Sequence, residues 1–167
     1  MKIGLKITRR LLATIRADLA RPHPFAHERV GWVAAGVSAT TGTLWLLAHT
    51  YRPVDDVDYL PDDTVGAMMG PEAIRKALQW AMTDRVAVLH VHTHGGIRVP
   101  NFSRVDLREQ AKYVPSFFQL APQRPHGALV LSDTAARGHV WLDRAGPYVN
   151  IERFLDVGAP LTEWSVT

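Results

Sequence analysis

Residues 89–96 read Leu-His-Val-His-Thr-His-Gly-Gly, and after a short loop residues 102–107 read Phe-Ser-Arg-Val-Asp-Leu. The apolar residues that lead into the first stretch, from Val86 to Leu89, favour a buried β-strand. Side chains at positions i and i+2 of a strand point to the same face, so His90, His92 and His94 would stand in one row. The sequence therefore predicts a strand that presents a row of ring nitrogens where it meets a glycine loop.

These histidines and the aspartate that follows them are suited to a metal site. Two imidazoles on one strand face can converge on one ion, and Asp106, at the start of a predicted helix, can return its carboxylate to the strand end. Two neutral nitrogens and one carboxylate oxygen suit zinc and leave a fourth position for water. His92 could pair with either His90 or His94. We favour His94, because it abuts the glycine loop that would form the rim of a site, with His90 packed beneath.

Both parts of the pattern also have simpler interpretations. Three alternating histidines could form a polar edge of the sheet. Ser103-x-x-Asp106 is also typical of a capping pattern at a helix N-terminus. This second interpretation is compatible with a metal site, since Ser103 could cap the helix and face the metal at once.

Composition narrows the chemistry that the 167-residue chain can perform. It has no cysteine, which excludes disulfides, a cysteine nucleophile, a CxxC redox pair and cysteine-ligated zinc, so a metal site must use His, Asp and Glu. The length predicts one domain, residues 1–167, and the lack of disulfides fits a reducing compartment such as the cytoplasm. The 19 Lys and Arg exceed the 16 Asp and Glu by three. This scattered surplus is too small to indicate nucleic-acid binding.

One uncharged run, residues 30–51, is long enough to cross a bilayer. Its centre, residues 38–43, is polar and contains Gly42. A polar centre that carries glycine is typical of a turn between two buried strands. We therefore expect a hairpin here and no membrane partner.

The hydrophobic pattern predicts strands and helices in the order β-α-β-β-α-β-α-β-β-β, which favours an α/β domain with a mixed, curved sheet. The expected strands are residues 2–7, 30–37, 43–51, 85–92, 128–132, 139–143 and 148–155. The expected helices run from residue 9 to about residue 19 after a Thr8 cap, from Pro71 onward, and from Ser103 to about Tyr113.

Two details of this pattern bear on the later description. In the second helix, the expected buried face consists of Ile74, Leu78 and Ala81 or Met82. The segment between the hairpin and this helix is acidic and is expected to be an exposed loop; its aspartates are Asp55, Asp56, Asp58, Asp62 and Asp63.

The stretch His92-Thr-His-Gly-Gly96, followed by Ser103-Arg-Val-Asp106, resembles the metal motif of the JAMM metalloprotease family, also called JAB/MPN+. That motif reads His-Ser/Thr-His-Pro, a short loop, and Ser-x-x-Asp. The family also has an upstream glutamate in a Glu-x-x-Gly-x-x-x-Gly context, and residues 28–36 fit it with the second glycine one place later. Gly95 stands in place of the usual proline, and the loop to the serine is about one residue longer. The resemblance covers residues 1 to about 155.

The resemblance implies a fold and a role for each matching residue. The fold would be a JAB/MPN-like curved mixed sheet flanked by helices, with a cytidine-deaminase-like architecture. His92, His94 and Asp106 would bind one zinc ion per chain. Glu28 would be the general base, and Ser103 would steady the oxyanion. Glu28 on its own would be an ordinary residue, and only the motif makes it a candidate.

The resemblance also implies a function. Compact prokaryotic members are zinc-dependent peptidases or isopeptidases that cut after the C-terminal tail of a ubiquitin-like protein, in bacterial conjugation systems that include antiphage ones. Deconjugation and precursor maturation both stay open. In the family, insertions near the positions of the acidic loop and of residues 114–125 hold the substrate protein, and both are short here. The alternative is a metal-free MPN-type scaffold that only binds proteins. A zinc deaminase is excluded, since it needs paired cysteines.

Overall fold

One curled, mixed β-sheet forms the frame of the computed structural model, which describes residues 1–23, 26–62 and 64–166. Within these residues the sheet has nine strands: β1 (Lys2–Thr8), β2 (Val30–Thr40), β3 (Thr43–Pro53), β4 (Ala87–Thr93), β5 (His126–Leu131), β6 (Ala136–Trp141), β7 (Val149–Asn150), β8 (Arg153–Val157) and β9 (Thr162–Trp164). Their order across the sheet is β7-β6-β5-β4-β2-β3-β1-β8-β9. The three helices are α1 (Arg9–Leu19), α2 (Pro71–Asp84) and α3 (Arg104–Leu120). The predicted α/β class with a mixed sheet is confirmed.

The uncharged run of residues 30–51 forms the predicted hairpin of β2 and β3. The two strands are antiparallel down to the pair Thr40 and Thr43, and Gly42 in the turn has a φ of 79°. This left-handed conformation costs little only for glycine, which explains the residue at that position. Within the described part of the chain, no helix is long and apolar enough to cross a membrane.

The central position of β4 brings distant parts of the chain together. It pairs antiparallel with β2 and parallel with β5, so that His92 lies between Val30 and Val130. A parallel pair needs a crossover connection, and α3 supplies it between β4 and β5. The register of β2 against β4 therefore carries the residues just before Val30 to the end of the strand that holds the histidines.

Apolar side chains pack on both faces of the sheet. The three apolar residues Leu12, Ile15 and Leu19 of α1 are buried, and the Thr8 side chain caps this helix, as predicted, by accepting from the backbone N–H of Leu11. On the other face, α2 and α3 cover a second cluster that includes Trp32. Burial on both faces explains why the central strands read as apolar runs.

The predicted buried face of α2 is only partly right: Ala81 is buried as expected, but the rest of the face differs. Its buried residues are small or aromatic: Ala73, Ala77, Trp80 and Ala81. Met82 is 48% exposed, while Ile74 and Leu78 are only partly buried. The small alanines allow close approach to the sheet. Ile74 is displaced toward a cavity described below.

Two further elements differ from the prediction. Helix α3 continues past Tyr113 and contains Pro115, because burial of Val114, Phe117 and Phe118 outweighs a proline penalty of about 3 kcal/mol. The strand expected at residues 148–155 is two strands, β7 and β8, which lie toward opposite ends of the sheet. The short edge strand β9 has too few residues to show the alternation of apolar and polar side chains by which a strand is predicted.

We expect Leu5→Ala to lower the free energy of unfolding by about 2–5 kcal/mol, because the side chain is fully buried in β1 and its loss leaves a cavity. Leu161→Ala is the matched control, since Leu161 is 60% exposed and its loss should change stability by at most about 0.5 kcal/mol. Urea denaturation measures both. Equal losses at the two positions would contradict the placement of β1 in the core.

Candidate active site and metal centre

The end of β4 presents two histidines to a cavity. His92 is in the strand with a side chain 1% exposed, and His94 follows the strand with a side chain 27% exposed. The backbone N–H of His94 donates to the carbonyl of Leu131 at 2.8 Å, which holds the chain in line after β4 ends. The ring centroids of His92 and His94 are 4.9 Å apart. The two rings therefore face one small region.

Asp106 reaches the same region from the first turn of α3. Its Oδ2 accepts from the backbone N–H of Ser103 at 2.6 Å, and its own N–H donates to Ser103 Oγ at 3.1 Å. This capping box is the one that the sequence predicts. The cap turns the carboxylate back toward β4, where Oδ2 lies 3.5 Å from His92 Nε2 and 3.7 Å from His94 Nε2.

The surroundings keep Asp106 ionised. Burial alone would raise its pKa, but the neighbouring His92 and the bonds to Ser103 outweigh it and hold the pKa below its usual value. Ser103 lines the cavity, and its Oγ accepts from the backbone N–H of Asp106.

Glu28 completes the group from the residues just before β2. Its Oε1 lies 3.9 Å from His94 Nε2, and its side chain is 30% exposed. Ligand atoms of Glu28, His92 and His94 all lie within 4.8 Å of one another, so these residues form a possible metal-binding group. The five site residues singled out from the sequence all line one cavity: Glu28, His92, His94, Ser103 and Asp106.

The donor set fits a metal ion. Both ring nitrogens of His92 are buried and make no hydrogen bond within the described residues, although buried ring nitrogens ordinarily have a partner. In a tetrahedral site with bonds of about 2.1 Å, ligand atoms lie about 3.4 Å apart. The distances from Asp106 to the two histidines are close to this separation. Imidazole with carboxylate is a usual donor set for divalent transition metals.

His90 lies deeper in the same cavity. Its ring centroid is 5.5 Å from that of His92 and 5.2 Å from that of Trp32, which it meets edge-on. Burial, with a smaller contribution from His92, lowers the pKa of His90 to about 3, so this ring stays neutral. Of the two pairings left open by the sequence, the metal-binding group contains His92 with His94.

Part of the acidic segment anchors the backbone next to Glu28. Arg29 is 4% exposed, and its guanidinium donates to Asp56 at 2.6 Å and to the carbonyls of Arg21 and Pro22. The bond to Asp56 raises the pKa of Arg29. The Tyr59 hydroxyl bonds both the N–H and the carbonyl of Val30. The backbone at the start of β2, at Arg29 and Val30, is therefore fixed.

The expectation of an exposed acidic loop is therefore only partly right: Asp55 and Asp56 are exposed, but Asp58 is not. Asp58 is 6% exposed and accepts from Lys76 at 2.6 Å. Asp56 and Asp58 lie in a short 3-10 turn, Asp56–Asp58. Asp63 lies outside the described residues.

The cavity has a volume of about 300 Å³, with two walls and a floor. Residues 64–69 form one wall, the start of α3 forms another, and Val30 with the β4 histidines forms the floor. Residues 114–125, expected near the site, are absent from this lining and include buried core residues of α3. Three carboxylates, from Glu28, Asp106 and Glu109, line the cavity without any lysine or arginine among its described residues.

A second, larger pocket of about 570 Å³ lies between the end of β3 and α2. Its charged groups already have partners, since Lys76 pairs with Asp55 and Asp58, and Arg52 lies over the ring of Trp80. The smaller cavity, with unpartnered ring nitrogens and clustered carboxylates, is therefore the candidate site.

Comparison with known proteins leaves the family open. No family model matches the sequence, and no curated protein matches it. Among solved structures, the STIL N-terminal domain of Trichoplax adhaerens is similar at 8% identity with a TM-score of 0.41. The alignment covers 83% of this chain and 40% of that one, so this chain spans less than half of its length. A likeness at this level carries no argument about fold or activity.

Sequence reasoning missed Arg29, Tyr59 and Gly66 as residues that hold the site. Arg29 is adjacent to Glu28, but a single arginine gives no pattern that distinguishes a buried ion pair from an exposed charge. Gly66 lies 38 residues from Glu28, and only the folded chain brings the two together.

We expect the purified protein to bind one divalent ion per chain and His92→Ala to abolish this binding. Removal of a residue that only orients a metal ligand weakens metal affinity roughly 10–100-fold. His92→Ala should weaken it more, because the ligand itself is removed. Titration calorimetry with Co²⁺ and Zn²⁺ measures the affinity. His49→Ala is the control, since His49 is exposed on β3. Equal metal binding by both variants would show that the ion is held elsewhere.

Replacement of the two carboxylates should separate their roles. Asp106 lies closer to both histidines, so Asp106→Asn should weaken metal binding strongly, whereas Glu28→Gln should change it only a few-fold. The same titrations measure this difference. Ser103→Ala serves as a control for loss of the helix cap without loss of a donor. The opposite ranking would identify Glu28 as the ligand.

Proposed function

We propose that this protein is a zinc-dependent peptidase or isopeptidase of the JAMM type. One observation carries the proposal: Glu28, His92, His94 and Asp106 come from three separate parts of the chain and line one cavity, with carboxylate oxygens 3.5–3.9 Å from the histidine Nε2 atoms. These are the residues that match the family's motif. The choice of zinc rests on two histidines and a carboxylate as donors, with no thiolate in the sequence.

His92, His94 and Asp106 would hold a zinc ion, which would supply a Lewis acid and make water acidic enough to react at neutral pH. The side chains around it have distinct tasks. The Glu28 carboxylate, which takes no part in the helix cap, accepts a proton from the attacking water and gives it to the nitrogen of the leaving amine as the C–N bond breaks. Such a positioned base contributes roughly 10²–10⁴ in rate. The Ser103 hydroxyl donates to the carbonyl oxygen of the substrate as negative charge develops there, an effect worth roughly 10²–10³.

The substrate in this proposal is the extended C-terminal tail of a ubiquitin-like protein. An extended peptide would enter along the wall of residues 64–69, where main-chain bonds give affinity without demanding large side chains. The cavity of about 300 Å³ accommodates only a few residues around the scissile bond. Recognition of the folded body of the partner then occurs on the surface outside the cavity.

Deconjugation in a bacterial ubiquitin-like system, including an antiphage one, and maturation of a precursor use the same bond chemistry. A linear fusion tests maturation, and an isopeptide-linked conjugate tests deconjugation. The cytoplasm, where conjugation systems act, is the proposed location. A metal-free scaffold is the alternative, and the complete donor set argues against it.

We expect Glu28→Gln to lower kcat by roughly 10²–10⁴ while metal content stays at one ion per chain, because the amide cannot accept the proton. Cleavage of a linear fusion between a ubiquitin-like protein and a reporter measures the rate. Glu152→Gln is the matched control, since Glu152 is exposed and pairs only weakly with Lys2 at 3.9 Å. Turnover at the wild-type rate by Glu28→Gln would disprove the assignment of the base.

Inhibitors provide an independent control for the same assay. The chelator 1,10-phenanthroline should stop cleavage and added Zn²⁺ should restore it. Iodoacetamide should have no effect on the enzyme, because the sequence contains no cysteine. Cleavage that persists in the chelator would point to a contaminating protease or to a mechanism without metal.

A further inference from the structure

Gly66 touches Glu28 in two ways. Its carbonyl accepts the backbone N–H groups of His27 at 2.9 Å and of Glu28 at 2.8 Å. In addition, a Cβ placed on Gly66 would lie 2.5 Å from both Cδ and Oε2 of Glu28. The Glu28 carboxylate therefore rests directly on the backbone of Gly66, with no space for even a methyl group between them.

Space, and not backbone conformation, explains the glycine at this position. Among the described residues the glycines with positive φ are Gly42 and Gly96, so Gly66 has a backbone that other residues can adopt. The three atoms nearest to an added methyl all belong to the Glu28 side chain: Cδ, Oε2 and, at 2.9 Å, Oε1. The carboxylate is thus the group that a side chain at this position would meet first.

The segment around Gly66 cannot easily move away. At its base Tyr59 and Met69 form an antiparallel bridge, and the N–H of Leu60 donates to the carbonyl of Met68 at 2.9 Å. The N–H of Gly70 also donates to the carbonyl of Asp58 at 2.7 Å. The segment is therefore closed at its base by these bonds and attached at Gly66 to the entry of β2.

On the other side, the backbone that carries Glu28 is fixed as well. The buried Arg29 guanidinium is bonded to Asp56 and to two carbonyls, and Val30 is paired with His92. Both backbones are held, so the end of the Glu28 side chain is the part that would yield to a methyl group on residue 66.

We propose that Gly66 is a positioning residue for Glu28: its missing side chain defines where the carboxylate lies relative to His94. This inference deepens the proposed function and rests on it for the role of Glu28 as the base. It assigns to residues 64–69 a task inside the reaction, in addition to forming a wall of the cavity.

The expected effect of Gly66→Ala is a displaced base in an otherwise intact site. Misplacement of a reacting group by about 1 Å costs on the order of 10²-fold in rate, so kcat should fall about 100-fold. KM and metal content should stay near the wild-type values, because His92, His94 and Asp106 are held by β4 and α3.

A double-mutant cycle with Glu28→Gln tests this assignment. Once the base is lost, displacing it should matter no further, so the double variant should be as active as Glu28→Gln alone. Additive losses would contradict the proposal, since they would mean that Gly66 acts through another part of the site. Gly36→Ala is the matched control: it makes the same change on β2 with no atom within 4 Å of the added methyl and should keep wild-type activity.

Structure determination of Gly66→Ala gives a readout that does not need turnover. The distance from Glu28 Oε1 to His94 Nε2, 3.9 Å here, should change by about 1 Å or more. An unchanged distance would overturn the positioning role even if the enzyme is active. A wild-type protein that cleaves no peptide would overturn the proposed function and leave this distance as the test of Gly66.

The melting temperatures of the variants provide a further test. If Gly66→Ala lowers the melting temperature, adding Glu28→Ala should restore it, because the methyl group then gains the space of the carboxylate. A double variant no more stable than Gly66→Ala would show that the methyl group meets something other than Glu28, and the proposal would be wrong.

Discussion

The pairing of β2 with β4 is the constraint on which the site depends. Val30 lies beside His92 in this pairing, so Glu28, two residues before Val30, reaches the end of β4. A slip of one residue would turn every side chain of β2 to the opposite face and would place Trp32 in the wrong cluster. The apolar face of β2 and the position of Glu28 are therefore set by the same hydrogen bonds. This coupling explains how Glu28, which precedes His92 by 64 positions in the sequence, is held within ion-pair distance of His94.

A local motif performs a comparable double task on α3. The Ser103–Asp106 capping box satisfies N–H groups that the first turn would otherwise leave unpaired, which stabilises the helix start. The same two bonds orient the Asp106 carboxylate toward the histidines. Because a capped carboxylate has little freedom, it loses little conformational entropy when it takes up a ligand. The same atoms thus stabilise the helix start and orient the Asp106 carboxylate for a ligand.

Features with a local or periodic signal were predictable from the sequence. The hairpin of β2 and β3, the Thr8 cap, the start of α2 at Pro71 and the Ser103–Asp106 box all follow from neighbouring residues. The buried face of α2 does not follow from neighbouring residues, because alanines pack closely there in place of the larger Ile74 and Leu78. The division of residues 148–155 into β7 and β8 also escaped, since adjacent apolar residues do not reveal that their strands belong to distant parts of the sheet. The role of Gly66 depends on a tertiary contact, for which one sequence gives no signal.

The charges of the cavity favour the binding of a cation. Three carboxylates line it with no lysine or arginine among its described residues, and the deepest histidine, His90, stays neutral because burial lowers its pKa to about 3. The pKa of Asp106 is held below its usual value, so its negative charge persists over the physiological range. Glu109 is paired with Arg108 and Lys112, whereas Glu28 and Asp106 have no lysine or arginine partner within the described residues. Partly buried negative charge without such a partner is unfavourable unless a cation binds. Bonds made elsewhere, through the helix cap and the buried Arg29, hold these groups together in spite of their repulsion. The fold therefore maintains an arrangement that a divalent ion would stabilise, with Glu28 kept at its margin by the bare backbone of Gly66.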